Sequence, residues 1–192
     1  MHSLFSLYQQ AIIRSQTFSG IAPLLLRLYL APVLAQAGWN KYQHFDNTVA
    51  WFGNADWGLG LPLPGLLAVL AIAAELGGAL LLLLGLFTRL ATIPLMITML
   101  VAIFAVHWPN GWLAIADSSS WLANARVVAS AEQLSAARQI LQQHGDYDWL
   151  TRNGSIVVLN NGIEFAATYF VMLLSLFFTG AGRYTSLDFW LG

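Results

Sequence analysis

The sequence predicts an all-α integral membrane protein, a four-helix bundle with extra amphipathic or interfacial helices. Three observations predict it. Of 192 residues, 58% are hydrophobic and only 9% are charged, against roughly 45–50% and ~25% in an ordinary soluble domain. Four apolar runs approach the ~20 residues a helix needs to cross the hydrocarbon core. Seven of the eight tryptophans (Trp39, Trp51, Trp57, Trp108, Trp112, Trp121, Trp149) fall in the segments on one side of those runs, as an interfacial aromatic belt requires.

The whole chain, 1–192, reads as one membrane domain. Residues 4–14 read as an amphipathic interfacial helix. The first span is 21–38, apolar except for Arg27 and Gln36. A signal peptide is the competing account, because Arg14 precedes the run and Ala35-Gln36-Ala37 resembles a cleavage site. Arg27 in the middle of the run argues against it. Residues 39–63 carry a short interfacial helix around Phe45 to Phe52, then a Gly/Pro turn. The second span, 66–86, is interrupted by the single charge Glu75, and the third, 91–107, begins beside Pro94. An outer loop, 108–154, holds an amphipathic helix at 129–144 with Leu134, Ala137, Ile140 and Leu141 on one stripe; it reads as a cap on the bundle. The fourth span is 163–179, and 180–192 form an inner tail.

Four spans put both termini on one side, with Arg14, Arg89 and Arg183 and a single acid, Asp188. The opposite side carries Lys41, Arg126, Arg138, Arg152 and six acids in long segments, which count little toward orientation. The termini are therefore expected inside. A net charge of -1 leaves no basic footprint for nucleic acid. The absence of Cys removes disulfide, thiolate-metal and thiol-redox chemistry from this chain. No Gly-rich phosphate loop, Ser-His-Asp set or HExxH motif is present, so soluble-enzyme chemistry has no foothold and no catalytic residue is assigned.

Ionisable groups inside the membrane cost several kcal/mol each unless paired, hydrated or snorkelling. Arg27, Ala31, Leu34, Gly38 and Lys41 share one face of the first span. Glu75, Gly78, Leu82, Gly85 and Arg89 step in the same way along the second, with glycines that admit a neighbouring helix closely. Met96, Leu100 and His107 align on the third, with Met99 nearby, and Glu164, Thr168, Val171 and Ser175 on the fourth. At ~1.5 Å of rise per residue, Arg27 and Glu75 are expected to meet near mid-membrane. Lys41, His107 and Glu164 would then form a second cluster beneath the tryptophans. The candidate polar intramembrane or ligand site is therefore Arg27, Lys41, Glu75, His107 and Glu164. Two readings stay open, a ligand site or interhelical glue. Met96, Met99 and His107 are the only candidate metal donors, thioether and imidazole suiting Cu(I), although a methionine in an apolar helix is more often packing.

Arg27, Gly38-x-x-Lys41, Glu75-x-Gly77-Gly78, Gly85-x-x-x-Arg89, His107, Glu164 and Gly180-x-Gly182-Arg183-x-x-Ser186-Leu187-Asp188 together resemble the DoxX family of small four-helix bacterial inner-membrane proteins. The stretches LLLRLYLAPVLAQAGWNK, AWFGNADWGLGLPLP and VHWPNGWLAIADSSSWLA are similar to its HvfX-like subgroup, encoded with the maturation machinery of copper-binding, ribosomally made peptides. The resemblance implies a multi-pass protein of the bacterial inner (cytoplasmic) membrane, without established catalytic residues, that helps in the production, export or use of such a peptide. Its implied partners are the lipid bilayer, the modified peptide and its maturation proteins. The alternative it implies is a membrane subunit of a quinone-linked oxidoreductase or oxidative-stress complex. That subunit would hold quinone beside Arg27, Glu75 or His107. Copper and quinone are thus the cofactors to consider, and a transport path in so small a chain would require a homo-oligomer.

Overall fold

The computed structural model describes residues 8–10 and 16–192. Residues 8–10 are helical; the rest of the expected 4–14 helix, and Arg14, lie outside the described residues. Eight α-helices follow: α1 (Ile21–Gln43), α2 (Phe45–Gly53), α3 (Pro64–Leu84), α4 (Thr88–Val101), α5 (Ala125–His144), α6 (Tyr147–Thr151), α7 (Glu164–Thr179) and α8 (Leu187–Leu191). No strand forms among the described residues. The chain divides into two compact units, Met1–Met99 with Tyr169–Gly192, and Leu100–Thr168, the boundaries falling within α4 and α7.

In the first unit α1 packs chiefly along α3, and α2 folds back on α3 as well. Pro32 and Pro94 lie inside α1 and α4; each removes one backbone donor, and both face outward. Leu30, Ala31 and Leu34 of α1, Ala79 and Leu82 of α3, Leu95 and Met99 of α4, and Leu173 and Leu176 of α7 form one buried cluster. Close approach depends on missing side chains. A Cβ on Gly38 would meet Leu76 Cγ at 2.9 Å and Glu75 Cβ at 3.0 Å, and one on Gly78 would meet Leu95 at 2.8 Å.

Pro64 opens α3 at a position where its missing N–H costs nothing. Gly85 closes it with φ 64°, its N–H bonding Leu82 O while Leu86 N–H bonds Leu81 O. This is a Schellman stop. The chain then turns directly into α4, whose first N–H groups are capped from far along the sequence. Phe87 N–H donates to Asp188 Oδ1 at 2.6 Å and Thr88 N–H to Oδ2 at 3.0 Å. A carboxylate at a helix N-terminus satisfies orphan donors and complements the dipole. Asp188→Ala is therefore expected to cost about 1–2 kcal/mol, read as a lower melting midpoint in detergent; an unchanged midpoint would refute the cap.

After Val101 the helix widens into a π turn, Ala102–His107, and tightens into a 3₁₀ turn, Trp108–Asn110. In the second unit, residues 111–116 and 158–164 run antiparallel through an isolated bridge at Ile115 and Leu159 and bonds such as Asn160 N–H to Ala114 O. Asn124 caps α5 by accepting from Val127 N–H, and Asp146 caps α6 by accepting from Trp149 N–H. The inward stripe of α5 differs from the expected one. Val127 and Ser130 are buried, and Leu134, Arg138 and Leu141 half-buried, while Ala137 and Ile140 are exposed. Arg138 takes the inward place because its aliphatic stem packs while its guanidinium donates to Ile156 O at 2.8 Å.

Three apolar helical stretches are long enough to cross a bilayer, Gln16–Gln43, Pro64–Leu84 and Thr88–Asn110. The first and third are longer than the sequence suggested. The fourth, Glu164–Thr179, has 16 residues, or roughly 24 Å at 1.5 Å per residue, shorter than the ~30 Å hydrocarbon core.

Candidate functional site

The first unit reverses the polarity of a soluble protein. Arg27 is 1% exposed and Glu75 3%, while Leu25 is 60% and Leu80 58% exposed. Leu66, Leu70, Leu83, Leu90 and Ile97 also lie on the outside. Charges inside and aliphatic side chains outside suit lipid as the surrounding solvent.

The two buried charges do not pair with each other, contrary to the expectation from helical depth. Glu75 belongs to Lys41. The Lys41 Nζ lies 2.8 Å from both Glu75 Oε1 and Oε2, the carboxylate side chain being 4% and the lysine side chain 28% exposed. Gly38, one turn before Lys41 on the same face, lets α1 and α3 close over the pair. Arg27 turns instead to the C-terminal tail. Its Nη1 donates to Ala181 O at 2.6 Å and its Nη2 to Thr185 O at 2.9 Å. The carbonyls of a returning tail carry no signal in side-chain spacing.

His107 and Glu164 fasten backbone in the second unit. The His107 Nδ1–H donates to Asn161 O at 2.9 Å, so in the neutral ring Nε2 carries the lone pair. Glu164 Oε2 accepts from Ala114 N–H at 2.9 Å. Between them lies a polar hub that the sequence reading missed. Asn160 is buried, donates to Asn110 O at 2.8 Å and Leu113 O at 2.6 Å, and accepts from Arg126 Nε at 3.2 Å. The Asn160-Asn161-Gly162 turn was the available signal. Gly162 stands where three backbone carbonyls, those of Gly111, Trp112 and Leu113, leave no room for a Cβ.

The remaining motif residues separate into distinct duties. Gly77 faces open space and Gly78 packs on Leu95. Gly85 sits against the Arg27 guanidinium and Ser186. Gly180 and Gly182 turn the tail at φ 77° and 97°, and Ser186 Oγ donates to Gly182 O at 2.7 Å. Arg89 lies in the first turn of α4 and donates to Phe178 O at 3.2 Å. Met99 is in the buried cluster and Met96 packs against it, so both serve as core. Among the described residues no group of three or more His, Asp or Glu is placed to hold a metal ion. The expected polar stripe of α7 faces outward at Thr168, Val171 and Ser175, and Ala166, Leu173 and Leu176 face inward. Thr168 Oγ1 bonds Glu164 O within the helix, and a hydroxyl satisfied in this way needs no interior partner.

Apolar helices long enough to span, in a chain whose described residues form no strand, define a helical membrane protein. Residues 22–108 match the model of the DoxX family. The match takes in Arg27, Lys41, Glu75 and His107, and stops before Glu164 and the tail. Comparisons with curated proteins and with solved structures return no match.

Proposed function

We propose that this protein is a multi-pass accessory protein of the bacterial inner membrane, both termini cytoplasmic, that binds a partner at its polar interior. It acts in the maturation, export or use of a copper-binding, ribosomally made peptide, as the HvfX-like stretches imply. One observation carries the binding part of this reading. The Lys41–Glu75 pair is a desolvated charge pair within an apolar helix pair, reached from outside through the partly exposed lysine. Intramembrane ionisable groups mark ligand or ion paths by default. Exposed tryptophans at Trp39, Trp57, Trp112, Trp121 and Trp149 suit an interfacial surface that a peptide partner could meet. The protein supplies binding rather than chemistry of its own.

The test compares wild type with Lys41→Met/Glu75→Leu, which removes both charges together and so leaves neither unpaired. Each is purified in detergent and offered a synthetic Cys-rich peptide loaded with Cu(I). Wild type is expected to retain peptide and copper at least tenfold better than the double variant at equal melting midpoint. Equal retention by both, or by neither, sinks the reading. Quinone co-purifying with wild type and changing its redox state would instead favour the oxidoreductase subunit.

A further inference from the structure

Where α3 gives way to α4, a cavity of about 490 Å³ opens between the first turn of α4 and the segment joining α7 to α8. Thr88, Arg89, Gly180, Arg183, Ser186 and Asp188 line it. Both lining arginines are exposed. Among the described residues Arg89 donates only to Phe178 O, at 3.2 Å, and Arg183 only to Tyr184 Oη, at 3.4 Å, although a guanidinium carries five N–H donors. The single lining carboxylate, Asp188, is occupied by the Phe87 and Thr88 N–H groups. Arg27, whose own partners Ala181 and Thr185 are neutral carbonyls, adds a third cation behind the wall. Two lining cations, with a third behind them, thus stand against one acid. A second, independent sign is the Thr88 hydroxyl, which is fully buried in the wall without a hydrogen-bond partner. Native structures rarely leave such a group unsatisfied without reason.

We propose that this cavity binds a phosphate group, with Arg89 and Arg183 clamping its oxygens and Thr88 Oγ1 donating a further bond. Planar guanidinium forks match phosphate bidentately. The cavity is within the ~300–1,000 Å³ of small-molecule sites. Exposed Phe87, Leu90, Phe178 and Trp190 beside it would accept acyl chains, so a phospholipid headgroup and a soluble phosphate compound share the chemistry the site recognises.

The full chain in neutral detergent is titrated with inorganic phosphate, with dioctanoyl phosphatidylglycerol and with dioctanoylglycerol, which has the same chains and no phosphate. Melting midpoints are read against chloride at matched ionic strength. The phosphate-bearing lipid is expected to raise the midpoint by several degrees and dioctanoylglycerol to leave it unchanged. Response to the lipid alone identifies a membrane lipid as the source, and an equal response to inorganic phosphate identifies a soluble compound. Arg89→Gln/Arg183→Gln should weaken the response at least about tenfold, as loss of charge-assisted bonds requires. Thr88→Val keeps the shape of the side chain. It should weaken binding several-fold while leaving the ligand-free midpoint equal or higher, an outcome that damage to the fold would not produce. The proposal fails if no phosphate-bearing probe shifts the midpoint, or if the shift survives in the double arginine variant; Thr88→Val binding like wild type removes the hydroxyl from it.

Discussion

Lys41→Met is expected to destabilise the protein by about 3–5 kcal/mol, the cost of leaving one member of a buried ion pair alone. Glu75 is nearly sealed, and both carboxylate oxygens take the same ammonium at 2.8 Å. With Lys41 gone, the carboxylate faces only an apolar helix pair, since among the described residues no other cation forms a salt bridge with it. Glu75→Gln should cost less. The lysine side chain is 28% exposed, and a flexible four-carbon stem can carry its charge outward to solvent or headgroups. Lys41→Met/Glu75→Leu should recover most of the loss, because a buried pair replaced by well-packed apolar groups is often neutral or better. Denaturant titration of wild type and the three variants in mixed micelles measures these differences. If Glu75→Gln costs as much as Lys41→Met, or the double variant recovers nothing, the pair does not stand as the structure draws it.

The helices, their order and the inward phase of the first were legible because apolar run length and 3.6-residue periodicity act locally. Arg27, Ala31, Leu34 and Gly38 are buried on one face, with Lys41 half-buried at its end. What the sequence hid was the partner of each charge. Depth counting treats helices as isolated rods and considers only side chains as partners. It therefore matched the central arginine to the central acid, and it could not register that a tail more than 150 residues away returns two carbonyls to the arginine. Lys41 sits farther along α1, but its long stem covers the difference in height to Glu75. The misplaced stripes on α5 and α7 have related causes. Arg138 behaves as an apolar residue along its stem, and the α7 hydroxyl of Thr168 is satisfied within its own helix. A polar letter therefore marked neither the interior nor the exterior by itself. The Asn160 hub escaped for the opposite reason: two of its contacts are to backbone carbonyls, those of Asn110 and Leu113, whose proximity exists only once the two extended segments have paired.

Arg27→Met should be comparably damaging, at about 3 kcal/mol or more, and by a different route. Methionine fills much of the same volume, so the loss is chiefly of donors. Ala181 O would lose a charge-assisted bond in a buried setting and Thr185 O one in a partly buried setting, and an unsatisfied buried acceptor costs ~1–3 kcal/mol. Arg27→Lys should recover only part, because one ammonium point charge does not reproduce a fork that spans two carbonyls. The damage should be localised: proteolysis of the 180–192 tail should accelerate well before the helices melt. Gly85 gives an independent check on the same contact. A Cβ at Gly85 would overlap the Arg27 guanidinium and crowd Ser186, and φ 64° adds roughly 1 kcal/mol of backbone strain for alanine. Gly85→Ala is thus expected to push the arginine off its carbonyls and expose the tail just as Arg27→Met does. Combining them should cost clearly less than their sum, since the shorter donor-free side chain removes the obstacle that the new methyl would strike, leaving mainly the strain of the turn. Strict additivity in that cycle would mean that the arginine and the glycine act independently, and that the tail is held by something other than the guanidinium.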